Sequence, residues 1–193
     1  MCFNKDCVKI NKISVVLFSV TIFFTASIFI APFLVGKGEV KNLDGSAWRV
    51  GYREKWDSMP LFPRLIYYFG DINCHQKYYR SYYINENQMP VCARDTGMFI
   101  GLSFIFLISI FVSAGNTIKN TVITFFYRKI RDARKILILF FLFPVPAVAD
   151  VILQMLTPYE SINPIRLVTG LFMGMSIAFF VSILFITDPR VAS

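Results

Sequence analysis

The chain has 193 residues, 55 % of them hydrophobic, a formal net charge of +8 and a mean hydropathy of +0.56. A soluble domain of this length cannot hide so much apolar surface around one core, which excludes an ordinary globular protein and points to a chain embedded in lipid. The positive charge lies beside apolar runs, where membrane topology and anionic headgroups account for it, so nucleic acid is excluded as a partner and the lipid bilayer is the expected one.

In chain order, Lys5, Lys9 and Lys12 precede a first apolar run over 13–35. It exceeds the roughly 7–15 residues of a signal-peptide core, so it is expected to stay as a membrane anchor, with Pro32 kinking or ending the helix. Cys2 and Cys7 lie before it and are expected to be reduced cytoplasmic thiols. Residues 36–97 form a long polar loop. Gly36, Gly38, Asn42, Asp44 and Gly45 give its start turn chemistry, so 36–58 is expected to be irregular or briefly stranded. Residues 60–70 are apolar and aromatic but too short to span, which predicts a helix lying in the membrane interface, with the nearby tyrosines as an interfacial belt.

Three further runs, 98–114, 136–156 and 167–186, are each near the roughly 20 apolar residues needed to cross a hydrocarbon core of about 30 Å. Pro144 and Pro146 predict a bend in the third. Its Asp150 and Gln154 are four residues apart and share a helix face, while Arg166 opens the fourth run above Thr169, Gly170 and Gly174, glycines that permit close helix approach. Between the second and third runs, Lys119, Arg128, Lys129, Arg131, Arg134 and Lys135 face a single acid, Asp132, which marks that segment as cytoplasmic. The expectation is an all-α membrane protein, one integral membrane domain over 1–193. It has four transmembrane helices plus a short interfacial helix in a long outer loop, and sits multi-pass in the cell membrane with both termini cytoplasmic.

The residues that carry chemistry gather in the loop. Cys74, His75, Cys92 and Asp95 offer two thiols, an imidazole and a carboxylate, a set able to complete a tetrahedral zinc shell. A Cys74–Cys92 disulfide, permitted on an oxidising outer face, and unpaired structural thiols are the alternatives. Redox catalysis would need a second thiol near Cys92, where Asp95 stands instead. His75 is the only histidine and the one side chain whose ordinary pKa suits proton transfer near neutrality. Asp150 is costly in hydrocarbon unless paired, and Arg166, at the same level on the next span, is its expected partner.

Cys74-His75-Gln76, Arg80-Ser81 and the run from Pro90 to Gly97, followed by Gly101, form one set. Pro144, Asp150, Gln154, Ser161, Asn163, Arg166, Thr169 and Gly170 form a second. In order and spacing both resemble the signatures of a family of prokaryotic polytopic membrane proteins whose shared domain has no assigned function, the likeness covering about 61–174. The resemblance implies a membrane fold and no reaction. This chain departs from the pattern in having Asp95 where a second cysteine is expected and Val151 where a glycine is expected. The first departure removes a vicinal dithiol and leaves an oxygen ligand acceptable to zinc.

The leading functional expectation is a zinc site at the outer face, held by Cys74, His75, Cys92 and Asp95, in a metal-dependent enzyme acting on a lipid-borne or membrane-adjacent substrate. Asp150, Arg166 and His75 are the candidate catalytic residues, and Arg80, Arg94, Gln154 and Arg166 the substrate-binding ones. A membrane thiol-disulfide oxidoreductase and a non-catalytic assembly subunit with a stapled loop are the alternatives.

Overall fold

The computed structural model describes residues 10–45, 50–126 and 132–188. Cys2, Cys7, Lys5, Lys9, Arg128, Lys129 and Arg131 lie outside the described residues. The first helix, α1 (Lys12–Ile30), starts where the Asn11 side chain accepts the amides of Ile13 and Ser14, both at 3.1 Å, satisfying donors that have no partner within the helix. It ends in a 3-10 turn, Ala31–Phe33, built around Pro32.

Next come the short α2 (Arg53–Asp57), then α3 (Leu61–Asn73), and a two-residue ladder of β1 (Tyr83–Ile84) with β2 (Asn87–Gln88). Asn85 and Glu86 between the strands both have positive φ, 52° and 59°, the backbone of a hairpin turn whose twist matches its strands. Five further helices are described: α4 (Ala93–Ile110), α5 (Ile118–Phe125), α6 (Ala133–Leu142), α7 (Val145–Leu156) and α8 (Asn163–Ile186). Among the described residues four units are long and apolar enough to cross a membrane: α1 with its turn, α4, α6 with α7, and α8. The protein is an all-α membrane protein.

The second spanning helix runs from Ala93 to Ile110, earlier than the apolar run at 98–114 suggests. Its first turn carries Arg94 and Asp95, which find polar partners, so the helix can begin in polar sequence. The third unit is broken at Phe143 and Pro144, between α6 and α7, and Pro146 falls in the first turn of α7, where a missing amide costs little.

Helices α4 and α8 pack backbone to backbone. A Cβ on Gly97 would lie 2.1 Å from the carbonyl oxygen of Leu167 and one on Gly101 2.3 Å from that of Leu171. From the other side, Gly170 would meet Arg94 O at 2.0 Å and Gly174 would meet Met98 O at 2.1 Å. Two small-residue stripes thus face each other, and only glycine allows the approach. Helix α1 lies against α4, tied by Thr25 Oγ1 to Ser103 Oγ at 3.0 Å.

At one end of the bundle Asn11 N donates to Ile110 O (3.0 Å) and Asp188 N to Gly115 O (3.1 Å). Nearby, Phe140 stacks on Phe179 at 3.7 Å between centroids, with Phe125 edge-on. The start of α1, the end of α4, α5 and the end of α8 therefore share this end. The described residues of 36–45 and 50–92 fold over the other as a cap. Its core is Val40, Leu43, Trp56, Met59, Ile66, Tyr67, Met89 and Val91, packed on Ile28 and Ala31. The Asp71 carboxylate accepts from Trp56 Nε1 (2.8 Å), Gly51 N (3.0 Å) and Tyr52 N (3.2 Å), organising the irregular stretch around α2. Tyr67 departs from the expected belt. It is fully buried, stacked on Trp56, with its hydroxyl donating to Gln88 O, and burial pushes its pKa up. On α3 the exposed side instead carries Leu61, Leu65 and Ile72, an apolar stripe suited to an interface.

Candidate metal and polar site at the capped end

Two segments of the cap form the site's floor. Helix α3 ends at Cys74, whose amide donates to Gly70 O at 2.8 Å, and the backbone there is extended. Successive side chains on extended backbone point to opposite sides. Cys74 and Gln76 accordingly turn inward and His75 outward. Gln76 then takes a positive φ of 45° and drives its carboxamide into the cap, donating from Nε2 to Pro90 O at 2.7 Å. Gln88 closes the clamp from the other segment, donating from Nε2 to Gln76 O (2.6 Å) and accepting Leu43 N at Oε1 (3.0 Å). Gly70 allows this, since a Cβ there would lie 1.9 Å from Pro90 O.

The clamp brings Cys92 against Cys74. Cys92 N donates to Cys74 Sγ at 3.3 Å, and the Cys92 thiol donates to Asp95 Oδ2 at 3.2 Å. One ligand atom from each of Cys74, Cys92 and Asp95 lies within 4.8 Å of the other two. Both thiols are free. The interaction with the Cys92 thiol side chain is the main influence raising the Cys74 pKa, aided by burial and by the charges of Cys92 and Asp95. The expected fourth ligand, His75, is not in the group. It is exposed, because the extended backbone that aims Cys74 inward aims its neighbour out.

Arg94 adjoins Asp95 but, one residue apart on a helix, points elsewhere. Its Nη2 pairs with Asp150 Oδ2 on α7. Asp150 is 6 % exposed and also accepts from Gln154 Nε2 at 2.8 Å. Gln154 Oε1 in turn accepts from Arg166 Nη2 at 3.0 Å, and Arg166, 2 % exposed, pairs with Glu160. Arg80 of the cap completes the row with a two-pronged contact to Glu160, 2.9 Å from Nε and 3.1 Å from Nη2. The direct Asp150–Arg166 pair expected from their shared level is replaced by Gln154, whose amide bridges them, while each charge takes a different partner. Burial opposes ionisation of Glu160, but Arg80 and Arg166 outweigh it and hold its carboxyl below the usual glutamate range.

The row thus connects all four expected substrate-binding residues, Arg80, Arg94, Gln154 and Arg166, with Asp150. Sequence reasoning missed Glu160, whose only signal is an acid six residues before Arg166 in a short loop. It also left Gln76 and Gln88 without a role, although Gln76 belongs to the Cys74-His75-Gln76 motif.

A family model described as predicted membrane protein (DUF2085) matches residues 74–180, a stretch that begins at Cys74 and runs past Arg166. An uncharacterized protein of Methanocaldococcus jannaschii is 26 % identical over 170 residues, covering 86 % of this chain and 88 % of that one. No solved structure matches.

Proposed function

The chain belongs to this family of membrane proteins, and within it we propose a metal-binding role: Cys74, Cys92 and Asp95 hold a zinc ion at the outer membrane face. The observation that carries this reading is the convergence of two sulfurs and a carboxylate oxygen within 4.8 Å, contributed by separate segments. Two thiolates and a carboxylate suit zinc, and three protein ligands leave a fourth position for water or substrate, as catalytic rather than structural zinc sites do. The ion would act as a Lewis acid toward a lipid-borne or membrane-adjacent substrate. Around it, Arg80, Arg94, Gln154 and Arg166 bind the substrate, Asp150 orients Arg94, and His75 stays outside the shell as a proton carrier. The concentration of Lys and Arg around Lys119, Arg134 and Lys135 at the opposite end supports a cytoplasmic location for that end and for both termini.

Elemental analysis of the detergent-purified chain tests the metal. Zinc bound one-to-one is expected, lost in Cys74→Ser and Cys92→Ser, weakened in Asp95→Ala and kept in Asp95→Cys, because thiolate is at least as good a ligand. Metal-free active protein with Cys74 and Cys92 bridged would overturn the reading, since a bridged sulfur supplies no thiolate.

One observation favours a second reading, a thiol-disulfide oxidoreductase: Cys92 N–H donates to Cys74 Sγ, so the two free thiols are already adjacent. Reversible bridging of the pair during turnover, without bound metal, would support it over the first.

A further inference from the structure

The row of charges at the capped end is not closed on itself. Arg80 and Arg166 share Glu160 while Arg94 pairs with Asp150, so three guanidinium charges meet two carboxylates and the row carries one net positive charge. Two donors in it are also unused. Nη1 of Arg166 and Nε of Arg94 are buried and meet no acceptor among the described residues. Buried donors left without acceptors are costly, and for a guanidinium the penalty is larger than for a neutral group. The two arginines are linked through the Asp150 and Gln154 side chains, and Asp150 and Glu160 hold the guanidinium planes in place. Rigid guanidinium edges with spare donors are what recognise oxyanions, and a tetrahedral oxyanion has enough acceptor oxygens to serve edges that come from two helices.

We propose that Nη1 of Arg166 and Nε of Arg94 bind a phosphate-type anion beside the first turn of α4. That turn also carries Asp95, whose side chain points to the thiol pair, so the anion and the metal would use different faces of the same turn. The proposal names the substrate class for the site described above and rests on that reading for where the rest of the ligand goes. Anion binding itself does not depend on zinc.

The test is calorimetric titration of the full chain in neutral detergent at fixed chloride, chelator-treated and zinc-loaded, with inorganic phosphate, with a short-chain phosphatidic acid and with a short-chain phosphatidylcholine. Saturable phosphate binding in both metal states is expected, weakened roughly tenfold or more in Arg166→Gln, the loss of one charge-assisted hydrogen bond. Because Arg166→Gln also releases Glu160 and can misfold, Arg94→Lys serves as the second variant. It keeps a cation for Asp150, lacks the Nε donor, and is expected to bind phosphate several-fold more weakly. Arg134→Gln, at the opposite end of the bundle, should bind as the wild type does. Phosphatidic acid displacing phosphate while phosphatidylcholine does not would assign the anion to a lipid headgroup; phosphate binding unaffected by either lipid would assign it to a free anion. Absence of saturable phosphate binding, or equal binding by the wild type and both arginine variants, overturns the proposal. Phosphate binding without zinc binding would leave it standing and remove the metal reading, and zinc binding without phosphate binding would do the reverse.

Discussion

Gln76 is the residue on which the geometry of the thiol pair turns. Its φ of 45° is in the left-handed region that a residue with a Cβ adopts at some cost, and it is retained because the turn delivers the carboxamide to Pro90 O. Gln76→Ala keeps the strained backbone and strands a buried carbonyl, so a loss of about 1–3 kcal/mol is expected. Unfolding of the purified protein in mild detergent measures it, and zinc content should fall in parallel as Cys74 and Cys92 separate. Gln76→Gly loses the same hydrogen bond but relieves the backbone, so it should be the milder variant. Wild-type stability and metal content in Gln76→Ala would show that the clamp is not what holds the sulfurs together. The motif Cys74-His75-Gln76 is visible in the sequence, but the alternation that sends its first and third side chains inward and the second outward is a property of the extended backbone after α3. Sequence spacing treats adjacent residues as equally available, and so it placed His75 in the shell.

The contact between α4 and α8 sets the position of Arg94 relative to Arg166. Its glycines meet backbone atoms that cannot swing away, so an added methyl must push the helices apart. Gly170→Ala and Gly174→Ala are each expected to cost about 1–3 kcal/mol through overpacking, read as a lower unfolding midpoint. Gly170→Ala, against Arg94 O, should also disturb the Arg94–Asp150 pair. Gly36→Ala is the control. Its Cβ would meet only the side chain of Glu39, which can move, and it should unfold as the wild type does. A Gly170→Ala midpoint equal to that of Gly36→Ala would mean that the close approach contributes nothing to stability. Composition and apolar run length were enough to recognise four spanning segments, and the glycines marked where two of them approach. The boundaries were less legible. Hydropathy sees Arg94 and Asp95 as the end of a span, whereas the helix continues through them once Asp150 and Cys92 supply partners.

Across the whole molecule, the cap covers one end of the bundle while the start of α1 and the end of α8 meet at the other, so the site and the termini are expected on opposite sides of the membrane. In a background with the native cysteines replaced by serine, a cysteine at exposed Glu54 in the cap should react with an impermeant thiol reagent in intact cells, and one at exposed Asn120 should not. The reverse pattern would invert the topology and place the thiol pair in a reducing compartment.

What the sequence by itself determined is whatever depends on local composition: the membrane class from apolar run length, the bend in the third unit from Pro144 and Pro146, and the two loop cysteines as candidate ligands. Those properties follow from solvent transfer and backbone chemistry, which act residue by residue. The tertiary structure decided the partners. Whether Asp150 meets Arg166 directly or through Gln154, whether Glu160 belongs to the site, and whether Tyr67 lies in a belt or a core all depend on which side chains arrive from α4, α7, α8 and the cap at one place. That convergence is set by packing between segments far apart in the chain, here chiefly the glycine contact of α4 with α8 and the Gln76–Gln88 clamp.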